Sequence, residues 1–271
     1  MNLVQVLESR AKDYLDKIAI IEEGREVTYR DLWQRVDRLA KAFLELGIKQ
    51  GDRIAICLPN CQEYIYAFLA ALKINAIAVP LKQTLTSYEL KTILKDSKPS
   101  LLITDDTYLR RKLPFDLTLE AGKLVILRLG AAKRAIKIED LFKVSTGLGA
   151  TFAADDHTIA SINYTYRGYG YPLGAMLTHG NFQCGIYSYI NANGLGQISV
   201  FPQMLLLLPL SHIFPLMVSI ILPLYLGGTM IISKYSSPAE IIKCIRSNIV
   251  DVTTVAPTLV TLLLKNYRKA K

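Results

Sequence analysis

The sequence predicts an α/β protein in which helices pack on a mixed, largely parallel sheet. Short apolar runs at 53–58, 76–79 and 100–104 alternate with patterns typical of helices, and this β–α–β–α–β order is characteristic of parallel sheets. The chain has 271 residues, of which 51% are hydrophobic and 20% are charged. This composition is that of a globular protein, and the length allows one or two domains with a substantial core.

Capping patterns predict where the helices of the first half begin. Thr28, Asn60 and Thr86 are each followed three positions later by an acidic residue, which is the spacing of a capping box. We therefore predict helices after each of them, the first running to about Leu46 and the second to about Lys73. A further strand near 124–127 and a short helix near 138–142 are less regular.

The second half continues the alternation of strands and helices. Predicted strands cover 158–164, 205–208, 229–232 and 252–255, and predicted helices begin at 178–181, 212, 238 and 257. We divide the chain into a first α/β subdomain, residues 1–156, and a second, residues 157–271.

The charge distribution argues against nucleic-acid binding. The formal net charge is +9, but the basic residues punctuate helices and gather in a C-terminal tail rather than forming a stripe with aromatic residues. Residues 168–233 carry no charged side chain, whereas 234–271 contain seven basic and two acidic residues. We therefore expect no nucleic-acid partner.

The most apolar segment, Met204–Ile232, raises the question of a membrane span. Prolines 209, 215 and 223 and the Gly227-Gly228 pair interrupt it, so no run reaches the ~20 apolar residues that a span requires. We predict a buried strand–helix–strand unit and no transmembrane segment. No signal-peptide pattern is present, and the four cysteines have no zinc-site spacing, which favours reduced thiols in a cytoplasmic protein.

A loop rich in Gly and Tyr follows the strand predicted at 158–164. Glycines before a helix N-terminus allow backbone N–H groups to approach phosphate oxygens. The spacing of Gly168, Gly170 and Gly174 matches neither of the common phosphate-binding patterns. From the residues alone, a phosphate site and a structural turn both remain open.

Five segments, in the correct order, resemble the N-terminal part of the adenylate-forming (AMP-binding) superfamily, most closely acyl-CoA synthetases and fatty acyl-AMP ligases. Val27–Leu32 looks like the early Thr-Tyr-x-Glu-Leu motif, and Leu72–Leu81 is similar to Leu-Lys-Ala-Gly-x-x-x-x-Pro-Leu. Residues 165–181 stand where the family has its phosphate loop. Leu207–Phe214 and Val250–Leu259 resemble segments that line the acyl pocket.

The resemblance implies a nucleotide-phosphate site in the Gly/Tyr loop. Its residues would be Thr165, Tyr166, Arg167, Gly168, Tyr169, Gly170, Pro172 and Gly174. The loop departs from the family pattern, because tyrosines and Arg167 replace small residues and Leu173 replaces the usual Lys. Arg167 could instead pair with a phosphate.

The resemblance also implies an acyl-substrate pocket formed by His212, Ile213, Phe214 and Pro257. The imidazole of His212 could help to position a carboxylate, although a histidine at the edge of the core is an equal alternative. The apolar lining suggested by Leu205–Leu208, Ile213-Phe214 and Val218–Leu222 favours a fatty or aromatic acid over a polar amino acid. His179 is expected to serve packing only, and we assign neither a certain catalytic residue nor a metal site.

Complete members of the family are about twice this length. We therefore expect the N-terminal portion of an acyl-CoA synthetase-like ligase that forms acyl-adenylate from a carboxylic acid and ATP, and that is not competent alone. ATP with magnesium, and CoA or an acyl carrier protein as acceptor, would belong to the complete enzyme, with a separate C-terminal half as a potential partner. The alternative is a non-catalytic homologue that binds an acyl group, a nucleotide or a protein.

Overall fold

A computed structural model describes most of the chain. The described residues are 1–106, 108, 124–127, 135–143, 147–148, 151–165, 171–192, 202–233, 237–247 and 249–269. Within them the strands form two sheets.

The strands in chain order are β1 Ile18–Glu22, β2 Arg25–Thr28, β3 Arg53–Cys57, β4 Ile77–Pro80, β5 Leu101–Thr104, β6 Leu124–Leu127, β7 Ala135–Lys137, β8 Ile159–Thr165, β9 Leu173–Thr178, β10 Gln203–Leu206, β11 Thr229–Ile232 and β12 Val252–Thr253. Among the described residues, one sheet has seven strands in the order β7-β6-β5-β3-β4-β8-β9, and the other has five in the order β12-β10-β11-β1-β2.

The helices are α1 Leu3–Ala11, α2 Tyr29–Glu45, α3 Gln62–Lys73, α4 Ser87–Ser97, α5 Ile138–Leu141, α6 His179–Ala192, α7 Ile213–Leu216, α8 Leu222–Leu226, α9 Pro238–Ser247 and α10 Pro257–Lys269. A π-helical segment, Met217–Ile221, joins α7 to α8. Pro223 has no N–H to donate one turn back, and a π-helical widening accommodates such a residue.

The prediction of largely parallel sheets flanked by helices is confirmed. All neighbouring strands in the two sheets pair in parallel except β1 with β2 and β8 with β9, which are antiparallel. The β1–β2 pair is absent from the sequence prediction. Its turn, Glu23-Gly24, has φ angles of 50° and 78°, and a non-glycine residue rarely adopts the first of these.

Each sheet takes strands from both sides of the 156/157 boundary. The strands β8 and β9 belong to the same sheet as β3 to β7, and β1 and β2 belong to the sheet of β10 to β12. The division at 156/157 stays a prediction, and the strand order shows that a cut there would open both sheets.

The predicted cap at Asn60 is wrong. The helix α3 begins at Gln62 after Cys61, and its first backbone N–H donates to Oε2 of Glu22 at 3.1 Å. Glu22 is buried at the end of β1, so a carboxylate from the other sheet neutralises this helix N-terminus. The amide of Asn60 bonds elsewhere. The caps at Thr28 and Thr86 are confirmed, since each side chain accepts from a backbone N–H of its helix.

The strand predicted at 205–208 lies two residues earlier, at Gln203–Leu206, and the strand at 229–232 is confirmed. The two strands pair in parallel, with Leu205 opposite Ile231. Both are largely buried, which explains why their sequences are continuously apolar.

Candidate functional site

The predicted phosphate loop connects the antiparallel strands β8 and β9. Thr165 ends β8 opposite Leu173, which begins β9. Since β8 runs parallel to β4, this connection lies at the carboxyl edge of the seven-stranded sheet, where α/β proteins bind ligands. Thr165, Pro172 and Gly174 are placed at the two ends of the connection. The other candidates lie outside the described residues: Tyr166, Arg167, Gly168, Tyr169 and Gly170.

Gly174 has a packing role that does not depend on a phosphate. A Cβ atom at this position would lie 2.9 Å from Cγ2 of Ile162 and 3.2 Å from Cζ of Tyr164. These contacts are closer than packed carbon atoms allow. The absence of a side chain at Gly174 therefore lets β9 lie against the neighbouring strand.

Tyr164 is held towards α4. Its hydroxyl donates to Oδ2 of Asp96, and burial, together with this carboxylate, raises the pKa of the phenol. Its partly buried ring also packs against the apolar cluster formed by residues of β3, β4 and β5. Tyr171 and Leu173, at the β9 end of the connection, are exposed. Leu173 stands at the position of the family's Lys, so an apolar side chain faces solvent there.

The helix α6 starts directly after β9. Thr178 and Asn181 bond reciprocally, each side chain accepting from the backbone N–H of the other. His179 is fully buried, as predicted, and its Nδ1 accepts from the backbone N–H of Leu3 at 3.1 Å. Burial is the main reason that the pKa of His179 is lowered to about 4, so the ring is neutral at pH 7.

His212 lies at the N-terminus of α7 and is exposed. Partial burial lowers the pKa of this imidazole, and the cation of Lys82 lowers it further. Lys82 follows β4 of the seven-stranded sheet, whereas His212 follows β10 of the other sheet. The fold therefore brings the carboxyl ends of both sheets close enough for these two side chains to interact.

An apolar cavity of about 280 Å³ lies between α6 and the helical stretch that follows His212. Ile213 and Phe214 line it, and their assignment to an acyl pocket stays a prediction. Val218 and Leu222 also line it, and both belong to the apolar lining predicted from the sequence. The sequence prediction omitted the remaining lining residues: Gly185, Ile186, Tyr189 and Met217. The spacing of 185, 186 and 189 marks one face of a helix, which is the signal that could have identified this wall.

His212 and Pro257 are not among the lining residues of this cavity. Pro257 is exposed at the start of α10. Three residues earlier, Oγ1 of Thr254 lies 3.3 Å from Oγ of Ser219, which belongs to the π-helical segment. The strand–helix junction thus contacts the same helical stretch that forms the cavity, but from another side.

Two further observations concern the described part of the chain alone. There, no group of three His, Cys, Asp or Glu side chains is arranged to hold a metal ion. None of the helices described combines the length and the hydropathy needed to cross a lipid bilayer.

Solved structures share this fold. An anthranilate CoA ligase, AuaEII, in complex with anthranoyl-AMP matches with a TM-score of 0.87 at 20% identity, covering 96% of this chain and 50% of that one. MbtA from Mycobacterium smegmatis matches with a TM-score of 0.86 at 25% identity, covering 98% of this chain and 50% of that one. The fold is that of the N-terminal domain of adenylate-forming enzymes.

The chain belongs to the AMP-binding enzyme family, whose pattern matches residues 7–271. A crotonobetaine/carnitine–CoA ligase from Salmonella agona is 32% identical over 198 residues, which is 69% of this chain and 38% of the relative. The chain thus spans between about a third and a half of the length of these proteins. The resemblance found in the sequence is confirmed at the level of family and fold.

Proposed function

We propose that this chain is the N-terminal portion of an acyl-CoA ligase-like enzyme that activates a carboxylic acid with ATP to form an acyl-adenylate. The observation that carries the proposal is the apolar cavity next to the segment of His212, in a chain whose residues 7–271 match the AMP-binding enzyme family. The β8–β9 connection, where the family has its phosphate loop, lies at the carboxyl edge of the seven-stranded sheet. The segment that leads to the cavity follows β10 in the other sheet, and Asn60, which follows β3, bonds to it at Leu208 and Leu210.

The cavity supports an aromatic or fatty acid as the substrate. It has only apolar and aromatic lining residues apart from Gly185, and its volume of about 280 Å³ is just below the usual range of ligand pockets, ~300–1,000 Å³. A polar amino acid would leave its ammonium group without a partner there. A compact acid is therefore favoured over a long-chain one.

The proposal gives His212 the role of receiving the acid. The imidazole is exposed next to Ile213 and Phe214 on the cavity wall, and the nearby cation of Lys82 makes this place attractive for a carboxylate. Thr165, Pro172 and Gly174 would border the nucleotide phosphates, and Arg167 would pair with one of them. CoA or a carrier protein would be the acceptor in the complete enzyme.

The described residues fit ATP and magnesium only in part. Thr165 lies at the carboxyl edge of the seven-stranded sheet, where a phosphate would bind. Leu173 is 37% exposed and offers no cation. The described portion of the chain contains no set of carboxylates arranged to hold magnesium. We propose that the C-terminal half of the complete enzyme, in the same polypeptide or in a separate one, completes the site for ATP and magnesium.

Acid-dependent exchange of labelled pyrophosphate into ATP tests the proposal. The chain would be assayed alone and together with the product of the downstream reading frame, using a panel of aromatic and fatty acids. We expect exchange with the two parts together and none with the chain alone. Absence of exchange with every acid, although both parts are folded, would overturn the proposal.

The exposed Leu173 favours a second candidate, a non-catalytic homologue that binds an acyl group. Without the cation at this position, the loop loses an attraction for phosphate that a charged hydrogen bond provides. Calorimetric titration separates the two functions. Binding of an acid in the absence of nucleotide, with no binding of ATP by the combined parts, supports this candidate.

A further inference from the structure

The side chain of Asn60 holds the backbone on both sides of Pro209. Its Nδ2 donates to the carbonyl of Leu208 at 2.9 Å, and its Oδ1 accepts from the N–H of Leu210 at 3.0 Å. Asn60 lies between β3 and α3, whereas 208–210 follow β10 in the other sheet. One amide therefore ties together the carboxyl edges of the two sheets.

Tyr64 secures the same segment from the first turn of α3. Its ring is completely buried, and its hydroxyl donates to the carbonyl of Leu210 at 2.9 Å. Leu210 is thus bonded through both of its backbone polar groups to side chains about 150 residues earlier in the sequence. Burial of these groups without partners would be costly, so the contacts fix the conformation of the segment.

An amide side chain is suited to this place by its chemistry. Pro209 has no N–H, so the segment cannot extend the hydrogen-bond ladder of β10. Asparagine supplies one donor and one acceptor in a single planar group, which matches a carbonyl and an N–H two residues apart. A carboxylate of the same shape would keep the acceptor and place an oxygen against the Leu208 carbonyl.

The hydrogen bonds that hold 208–210 are followed by others that reach His212. The N–H of His212 donates to the carbonyl of Pro209 at 3.2 Å, and the carbonyl of His212 accepts from Leu216 at 3.1 Å, which starts α7. Fixing 208–210 therefore fixes the turn before His212. The same turn sets where Ile213 and Phe214 enter the cavity wall.

We infer that Asn60 and Tyr64 are positioning residues that orient His212 and the first turn of α7 for an incoming carboxylate. The role of His212 towards the carboxylate rests on the proposed function, whereas the positioning rests on the contacts above. The N-terminus of α3 does not need Asn60, because Glu22 accepts from Gln62 there.

The test compares Asn60→Asp and Tyr64→Phe with Tyr29→Phe as a matched control. Tyr29 is also fully buried, and its hydroxyl donates to the Gly228 carbonyl at 2.7 Å, away from 208–210. The chain has three histidines, so the imidazole Hε1 signals in an NMR spectrum can be assigned by substitution. Binding of benzoate and octanoate is measured by calorimetry with the chain and the downstream part together.

We expect Tyr64→Phe and Tyr29→Phe to lower the melting temperature to a similar extent. Only Asn60→Asp and Tyr64→Phe should move the His212 signal and weaken acid binding, by about fivefold, the equivalent of one hydrogen bond. If the control moves the His212 signal equally, or if neither variant moves it, the inference is overturned. If the wild-type chain binds no acid but the signal still responds to both variants, the proposed function fails and the positioning role stands.

Discussion

The backbone N–H of Leu3 donates to Nδ1 of His179 at 3.1 Å, and this bond joins the first helix to the helix that follows the predicted phosphate loop. The bond requires a neutral ring with its proton on Nε2. Among the described residues, Nε2 has no hydrogen-bond partner. Protonation at Nδ1 would remove the acceptor and leave a buried charge, so the contact is sensitive to acid.

The free energy of unfolding should therefore decrease as the pH is lowered through a window set by the pKa of His179. Its pKa is about 4 in the folded protein, compared with ~6.5 in an unfolded chain. The unfolded chain binds the proton first, so this contribution is complete above about pH 6.5 and is lost towards about pH 4. His179→Asn keeps an acceptor near Nδ1 and cannot titrate. Between about pH 7.5 and 5, we expect wild type to lose about 2 kcal/mol more than the variant in urea unfolding. An equal pH dependence of the free energy of unfolding in wild type and variant would contradict this prediction.

Lys73→Met should strongly destabilise the fold. The ammonium of Lys73 is buried and pairs with Glu8 and with Oδ1 of Asp37, at 2.6 Å from the latter, so its removal leaves two carboxylates without their cation. The expected loss is about 3–5 kcal/mol in the free energy of unfolding. Lys143→Met is the control, because Lys143 pairs with Asp140 in solvent and its loss should leave the melting temperature unchanged. A similar loss of stability in both variants would contradict the expectation that the buried ion pairs of Lys73 stabilise the fold more than the exposed pair of Lys143.

Lys82→Gln should raise the pKa of His212. The cation of Lys82 contributes to the lowered pKa of this imidazole, although burial is the larger cause, so only part of the shift should disappear. An NMR titration of the His212 ring measures it. Lys95→Gln, on the exposed face of α4, serves as the control for loss of one positive charge. An unchanged His212 pKa in Lys82→Gln would show that the charge of Lys82 does not act on His212.

Two glycine substitutions should have different costs. At Gly228 a Cβ would lie 2.5 Å from the backbone oxygen of Pro202, which cannot move independently of the sheet. At Gly185 a Cβ would lie 2.7 Å from Cε of Met217, the end of a flexible side chain. We expect Gly228→Ala to lose about 1–3 kcal/mol by chemical unfolding and Gly185→Ala to lose less, because Ala also favours the helix. The reverse order would contradict the packing described.

Local patterns allowed much of the fold to be predicted. The caps at Thr28 and Thr86 could be read because their partners lie three residues away, and the buried strand at 229–232 could be read as a short apolar run. Asn60 has the same local pattern, but bonds to Leu208 and Leu210 override it. A local pattern cannot reveal a partner that the tertiary fold brings from 150 residues away.

One wall of the cavity could be anticipated from the sequence for the same reason. Ile213 and Phe214 lie within the segment that resembles the family motif, so the sequence alone points to them. The opposite wall of the cavity, with Gly185 and Tyr189, comes from a helix with no such motif, and only the packing of α6 shows it. The packing role of Gly174 likewise depends on the side chains of the neighbouring strand.

The strand order also governs when the protein can fold during its synthesis. Ile20 of β1 pairs with Met230 of β11, so an early strand waits for a late one before its sheet can form. Contacts so distant in sequence slow folding and leave strand edges open to other chains. On the ribosome, β1 and β2 therefore stay exposed until β11 has been synthesised, and a chaperone that shields this hairpin should raise the yield of native protein.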